Sequence, residues 1–271
     1  MYETILFEKD GGMATISLNR PKVLNAFNMQ LHEEIYGALN DAAADDEVRC
    51  IVLRGEGKGF SAGADLAEVV EGDGNPDGPD LGEYLRETYG RLITRMVGIE
   101  KPIVAALHGP VYGAGLGLAL ASDLRLAAES AKFSVAFVKI GLIPDAGVTF
   151  FLPRAVGVGR AMQMSMLGEV LDAREAHRVG LVNEVVPDEK LEEEVSAFAG
   201  RLAGLCQRRR WAGSSRPCTR ASRAISPPSL KQRPWDRPSV PTRRITKKVS
   251  PCSLRSETRP SPGTERRRSA R

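Results

Sequence analysis

A chain of 271 residues, 42% hydrophobic and 27% charged, is long enough for one large core or two small domains. It holds no run of about 18 uncharged apolar residues, the mark of a membrane-spanning helix. Its opening "MYETILFEKDGG" lacks the basic-then-apolar pattern of a secretory leader, so a cytoplasmic protein is expected. The net charge of +4 divides unevenly: residues 206–271 hold 16 Arg, 3 Lys and 3 acids, a net +16, which leaves −12 on residues 1–205.

In chain order, "ETILFEK" and "MATISLNRP" are β-branched runs joined by "DGG" and predict a hairpin. Leu31, Ile35, Ala38, Leu39 and Ala42 recur at helical spacing over 29–44. "VRCIVLRGEG" (48–57) reads as a buried strand, with Cys50 as a core thiol. Residues 66–80 begin helically and dissolve into a Gly/Pro/Asp loop that should shape any pocket beside it. A helix over 81–98, the strand "PIVAALHG" (102–109), a glycine-led helix in "GAGLGLALAS" and the strand "DLRLAAES" follow. Further helices are expected over 146–152, 159–167, 172–178 and 188–204. Strands alternating with helices define the α/β class.

Two loops carry the chemistry. "GFSAGADL" (59–66) and "GPVYGAGLG" (109–117) each follow a strand and lead into a helix. Glycine there lets backbone N–H groups face a ligand, and a helix start adds positive potential. Converging, the two would form an oxyanion hole for a carbonyl oxygen that gains charge; each alone also reads as plain turn chemistry. The glycines of 109–117 do not fit the dinucleotide pattern GxGxxG with its ribose-binding acid.

"LNRPKVLNAF", "GFSAGADL", "KPIVAALHGPVYGAGLGLALASDLRLAAESAKF" and "GLVNEVVP" together resemble the crotonase superfamily, the enoyl-CoA hydratases and isomerases, over about residues 4–205. The resemblance implies a crotonase-like spiral of ββα units, usually in homotrimers or hexamers. It implies acyl-CoA thioesters as substrates, with no prosthetic group, and coenzyme A arriving as part of the substrate. It maps the oxyanion hole to the N–H groups of Ala64 and Ala114. Coenzyme A would lie against Lys22, Val23, Leu24, Ala26, Ala62, Asp65 and Leu66. The acyl pocket would involve Gly117, Phe137, Ile143 and Tyr89.

Hydratases of the superfamily use two glutamates, and those positions hold Gly117 and Phe137 here. Syn addition of water needs one group to activate water and another to deliver a proton, so the ordinary hydratase route lacks its carboxylates. Asp145, in "IGLIPDAG", stands where hydratases usually carry glycine. An aspartate there resembles the isomerase subgroup, whose phenylacetate-pathway members rearrange ring-epoxidised phenylacetyl-CoA. It also resembles the dehalogenases, which have a tryptophan in place of Phe137 and a histidine near Gly90, both missing here. Asp145 is therefore the expected catalytic group, with its pKa raised by apolar Phe137 and Ile143; capping the helix that follows is its alternative role. His108 and Asp123 read as structural, His32 and His177 as surface residues, and Lys139 as a solvated or CoA-proximal charge.

The segment 206–271 has 9 prolines, both tryptophans and three of the four cysteines, without helical or strand periodicity. Its cysteines lack CxxC spacing, so no metal site is expected. Composition describes a disordered polycation, and a basic arm for nucleic acid is the rival reading, though the aromatic-interleaved motifs of such modules are missing. The genetic code offers a third reading. In the frame that joins the last base of each codon to the first two of the next, Pro234–Asp236 forces a glycine, and Ile245–Val249 permits "HKEG", which resembles superfamily C-termini. The expected organisation is thus a crotonase-like domain over 1–205 and a non-family tail over 206–271, disordered or translated out of frame.

Overall fold

The computed structural model describes residues 2–67 and 81–208. All lie in the first of the chain's two units, Met1–Ile225; the second, Ser226–Arg271, lies outside the described residues, as do most of the loop after Leu66 and nearly all of the basic tail.

The hairpin forms as β1 (Ile5–Asp10) and β2 (Met13–Leu18), antiparallel, with Ile5 opposite Leu18. Strand β2 then pairs in parallel with β3 (Cys50–Gly55), and β3 with β4 (Ile103–Leu107). A second small sheet begins with β5 (Pro110–Tyr112). Strand β6 (Leu124–Ala128) returns to the main sheet beside β4, β7 (Lys132–Ser134) pairs with β5, and β8 (Leu171–Asp172) closes the small sheet. Strand β9 (Glu184–Val186) adds the last edge of the six-stranded main sheet, β1-β2-β3-β4-β6-β9.

Eight α-helices connect these strands among the described residues: α1 (Met29–Ala44), α2 (Leu81–Leu85), α3 (Arg91–Gly98), α4 (Ala114–Ala121), α5 (Val148–Val156), α6 (Val158–Leu167), α7 (Ala173–Arg178) and α8 (Leu191–Arg208). The helix expected over 81–98 is interrupted between α2 and α3 by a π turn, Arg86–Gly90. Helix α5 runs past Pro153, where sequence reading stops it; the proline forfeits a hydrogen bond to the carbonyl of Thr149, a residue on the exposed face of the helix. Helix α8 also crosses the boundary expected at residue 205.

The period-two geometry of strands splits the core into two. Ile51, Leu53, Ile103, Ala105 and Leu107 face the main core with α1. Cys50, Val52, Val104 and Ala106 face the other side, against Val195, Ala199 and Ala203 of α8. Those three recur every four residues, one stripe of a helix. Burial on both faces explains why "CIVL" is uniformly apolar. Cys50 is the expected core thiol, fully buried. Asp123 is structural as expected: Oδ2 accepts from the Ile103 N–H at 2.8 Å and fixes where β4 starts.

His32 corrects its expected surface position. It is 3% exposed, because Ile35 and Leu39, at i+3 and i+7, place it on the buried stripe of α1. His177 is exposed. His108 meets the Gly57 carbonyl through Nε2 at 3.0 Å. Among the described residues no helix is long and apolar enough to cross a membrane.

Candidate active site

The two glycine loops are sewn to each other. The Phe60 N–H donates to the His108 carbonyl at 2.9 Å, Ser61 N–H to Pro110 at 3.0 Å, and Tyr112 N–H to Ser61 at 2.9 Å. The Ser61 hydroxyl, wholly buried, donates to the Asn25 carbonyl at 2.8 Å and accepts from the Gly63 N–H at 3.1 Å. Gly63 has φ of +102°, and a Cβ there would stand 3.1 Å from the Tyr112 oxygen and 3.4 Å from the Ala114 nitrogen. The loops thus meet at the two residues expected to supply the oxyanion hole.

Among the described residues, the pairing around Ala64 and Ala114 leaves both N–H groups available. Ala64 bridges Phe27, but the bridge uses its neighbours: Phe27 N–H donates to Gly63, and Asp65 N–H to Phe27. Ala114 is the first residue of α4, so its N–H has no partner within the helix. Such a pair can hold a carbonyl oxygen that becomes an oxyanion; losing one donor of this kind costs about 2.7–4 kcal/mol in the transition state.

The segment expected to hold coenzyme A makes the neighbouring edge. Pro21–Val23 forms a 3-10 turn, and Leu24 and Asn25 follow at φ +51° and +54°. The Ala62 N–H donates to the Leu24 carbonyl at 2.9 Å, tying this turn to the first glycine loop. Lys22, Val23 and Leu66 are exposed, Leu24 and Ala62 partly so, and Ala26 is buried. Asp65 is paired with Arg20 at 3.0 Å, which makes it a clamp on the turn.

Sequence reading passed over the residue that organises this edge. Asn25 is fully buried; its amide donates to the Glu56 and Gly59 carbonyls, both at 2.9 Å, and its oxygen accepts from the Arg20 N–H at 2.8 Å. The available signal was an asparagine, a residue tolerant of positive φ, within an otherwise apolar stretch.

Asp145 lies in the turn before α5, its carbonyl accepting from the Val148 N–H at 2.8 Å. Its side chain does not cap that helix: the N-cap is Gly147, with no side-chain capping bond. Oδ1 is buried and has no hydrogen-bond partner among the described residues. Burial pushes the carboxyl up from 3.8 to about 6. Such a group titrates near neutrality and moves protons in either direction.

Gly117 and Ala146 explain how Asp145 is held. A Cβ on Gly117 would collide with the Ala146 carbonyl oxygen and stand 2.9 Å from the Ala146 side chain. Gly117 therefore faces packed backbone rather than open pocket, and a glutamate there has no room. Phe137 is buried, with its ring tip 4.0 Å from where a Gly113 Cβ would lie, so it supplies apolar cover next to the oxyanion loop. Ile143 stands outside that packed cover. It is 72% exposed, because the 142–144 segment crosses the surface. Lys139 is exposed, its chain against Gly168. Tyr89, in the π turn, is 4% exposed; burial first, then the neighbouring Tyr84, Asp145 and Asp65, hold its phenol well above the ordinary value.

Among the described residues the non-glycine positions at positive φ, Leu24, Asn25, Ala136 and Ala146, are or directly adjoin expected site residues. Strain of this kind persists where surrounding structure over-determines it, commonly at functional sites.

This is an α/β enzyme scaffold that presents two backbone donors and one carboxyl with a raised pKa. The family model for enoyl-CoA hydratase/isomerase matches residues 8–208, and the chain belongs to that family. It is 42% identical over 203 residues to 1,2-epoxyphenylacetyl-CoA isomerase of Escherichia coli (strain K12), covering 75% of this chain and 77% of that protein. It is 45% identical over 202 residues to a probable enoyl-CoA hydratase of Rhodobacter capsulatus, covering 74% and 76%. A crystal structure of a putative enoyl-CoA hydratase from Streptomyces coelicolor A3(2) superposes with a TM-score of 0.74 at 31% identity, covering 85% and 82% of the two chains. The crotonase fold is thus established. Its relatives carry both isomerase and hydratase names.

Proposed function

We propose that the protein is an acyl-CoA isomerase that shifts a double bond, or rearranges a ring, by moving one proton with Asp145. The observation that carries this reading is the half-buried, uncapping carboxyl of Asp145, with its unpartnered oxygen and its pKa near 6. The thioester oxygen binds between the Ala64 and Ala114 N–H groups. Asp145 as carboxylate takes a proton from the α-carbon, and the C–H electron pair moves into a dienolate whose oxygen the two donors stabilise. The protonated Asp145 then returns the proton to the γ-carbon and regenerates the carboxylate. One carboxyl suffices because the proton lost and the proton gained are the same.

Hydration is disfavoured on the same grounds. Position 117 has no space for a carboxylate, position 137 holds a buried phenylalanine, and water addition needs two acid–base groups. Coenzyme A then runs along the exposed edge of Lys22, Val23 and Leu66, and Phe137 and Tyr89 cover the acyl end. Assay of the protein with a 3-enoyl-CoA and with crotonyl-CoA separates the readings. Isomerisation of the first at least a hundredfold faster than hydration of the second is expected; the reverse order refutes the proposal.

Two wider readings go with it. The exposed apolar side chains Val158, Met162, Met166, Leu167 and Val170 are an apolar surface of the kind that marks protein contacts, and we assign it to a homotrimer or hexamer, which light scattering tests. The family match ends at residue 208, close to where composition changes. This supports reading the following residues as out of frame, and resequencing the gene decides it.

A further inference from the structure

The direction of the Ala64 N–H is set from the far side of its strand. Phe27 N–H donates to the Gly63 carbonyl at 2.8 Å, and Asp65 N–H donates to the Phe27 carbonyl at 2.9 Å. Both neighbours of Ala64 are thus tied to one residue across a parallel bridge. In such a bridge the middle residue turns its own N–H away from the partner strand. Whatever fixes Phe27 against 63–65 therefore decides where this donor points. The Ala114 N–H is aimed independently, by the first turn of α4.

One guanidinium grips both ends of that bridge. Arg20 Nη1 donates to the carbonyl of Ala26, the residue before Phe27, and to Oδ2 of Asp65, the residue after Ala64, the latter at 3.0 Å. Arg20 is itself anchored twice to Asn25: its N–H donates to Asn25 Oδ1 at 2.8 Å, and its carbonyl accepts from the Asn25 N–H at 3.0 Å. It lies two residues beyond the end of β2, so the grip is referred back to the main sheet. The Arg20 and Asp65 side chains are each 20% exposed, and ion pairs open to water add little to stability. A guanidinium, however, holds its N–H groups in fixed directions, which suits it to set the spacing of a carbonyl and a carboxylate.

We propose that Arg20 and Asp65 are positioning residues for the reaction: by pinning Ala26 and Asp65 on either side of the Phe27–Ala64 bridge, they set the Ala64 N–H where it polarises the thioester carbonyl. A donor of this kind works at about 2.7–3.1 Å from the oxygen, and a misplacement of about 1 Å costs about 10²-fold in rate. The two side chains act through the Ala64 backbone. The inference rests on the reading given above, in which the thioester oxygen lies between the Ala64 and Ala114 N–H groups.

Infrared difference spectroscopy on the full-length protein tests it, with hexanoyl-CoA isotope-labelled at the thioester carbonyl. This saturated thioester has no double bond to move, and hydrogen bonds to its carbonyl lower the stretching frequency. The native protein is expected to lower it relative to water. Arg20→Gln and Asp65→Asn are each expected to lose about half of that shift, because one donor of two is loosened. Their kcat on a 3-enoyl-CoA should fall about 10–100-fold, with KM and the hexanoyl-CoA Kd within about threefold of native. The double variant should be no more than about threefold slower than either single one, since the pair acts as a unit. A full carbonyl shift in both variants overturns the proposal, whatever happens to Tm or kcat, because the pair is then structural only. A change confined to KM and Kd overturns it by making the pair a binding contact. Failure of both variants to fold overturns it too, since the pair is then required by the fold. Absence of any shift in hexanoyl-CoA bound to the native protein overturns the oxyanion-hole reading itself, and is seen before any variant is made.

Discussion

Where residues 59–64 meet 108–114, the fold satisfies its buried side chains and leaves only backbone donors over. Ser61 uses its hydroxyl twice, Asn25 uses its amide three times, and strand-like bonds join the loops. Around Asp145, Tyr89 and His32 four buried atoms have no hydrogen-bond partner among the described residues. Both regions sit in one site, yet one is finished by the protein and the other is left open. The satisfied region needs only to present two N–H groups at fixed points, a task for rigid backbone. On the proposed reading the unsatisfied region exchanges protons and hydrogen bonds with whatever enters, and unpaired groups are the condition for that exchange.

The comparison can be broken most forcefully at Asp145. Asp145→Asn keeps the shape and removes the titrating group; a loss of about 10²–10⁴-fold in kcat on a 3-enoyl-CoA is expected, with KM little changed. Steady-state kinetics on a variant of unchanged circular dichroism checks it.

Gly117→Glu is next. It drives a side chain into the Ala146 carbonyl, so a loss of about 1–3 kcal/mol or more in unfolding free energy is expected, without any gain of crotonyl-CoA hydration. Urea titration and a hydration assay report the two halves separately.

Ser61→Ala strikes the satisfied region. It leaves the Asn25 carbonyl and the Gly63 N–H without their buried partner, at a cost of about 1–2 kcal/mol, and activity should fall with it as the Ala64 donor loosens. Stability loss without activity loss would show that Ser61 does not position the hole.

The smallest effect is expected at His32. Its pKa is pushed down to about 3 by burial, while the unfolded chain takes up a proton near 6.5. The folded state therefore loses stability as pH falls from 6.5 towards 3, and none above 6.5. His32→Phe should flatten that acid-side decline and change Tm by only a few degrees at neutral pH. A decline identical to that of the native protein contradicts the buried neutral imidazole.

Much of the satisfied region was legible in the sequence, because glycine and strand-to-helix switches carry their geometry locally. Helix α1 begins where expected because Asn28 caps it, accepting from the Leu31 N–H, and its apolar spacing is regular. Ala64 and Ala114 are singled out only through resemblance, since a backbone donor leaves no mark of its own on the side chain. His32 was misread because one apolar neighbour each at i+3 and i+7 is a weak cue beside the polar residues that surround it. The exposure of Ile143 was not legible either: hydrophobicity reports what can be buried, and the path of the 142–144 segment decides how much of it the described residues cover. The π turn at Tyr89 has no sequence signature that periodicity would detect. Asn25 was hidden inside a quoted motif whose apolar members drew the attention.

The account stands on Asp145 acting as a carboxylate whose pKa burial raises to about 6. The pH dependence of kcat/KM on a 3-enoyl-CoA reads that group in the free enzyme. A profile that rises tenfold per pH unit in acid and levels off near pH 6 is predicted, with the rise abolished in Asp145→Asn. A profile flat from pH 4.5 to 7.5, or one that falls through that range, would contradict it.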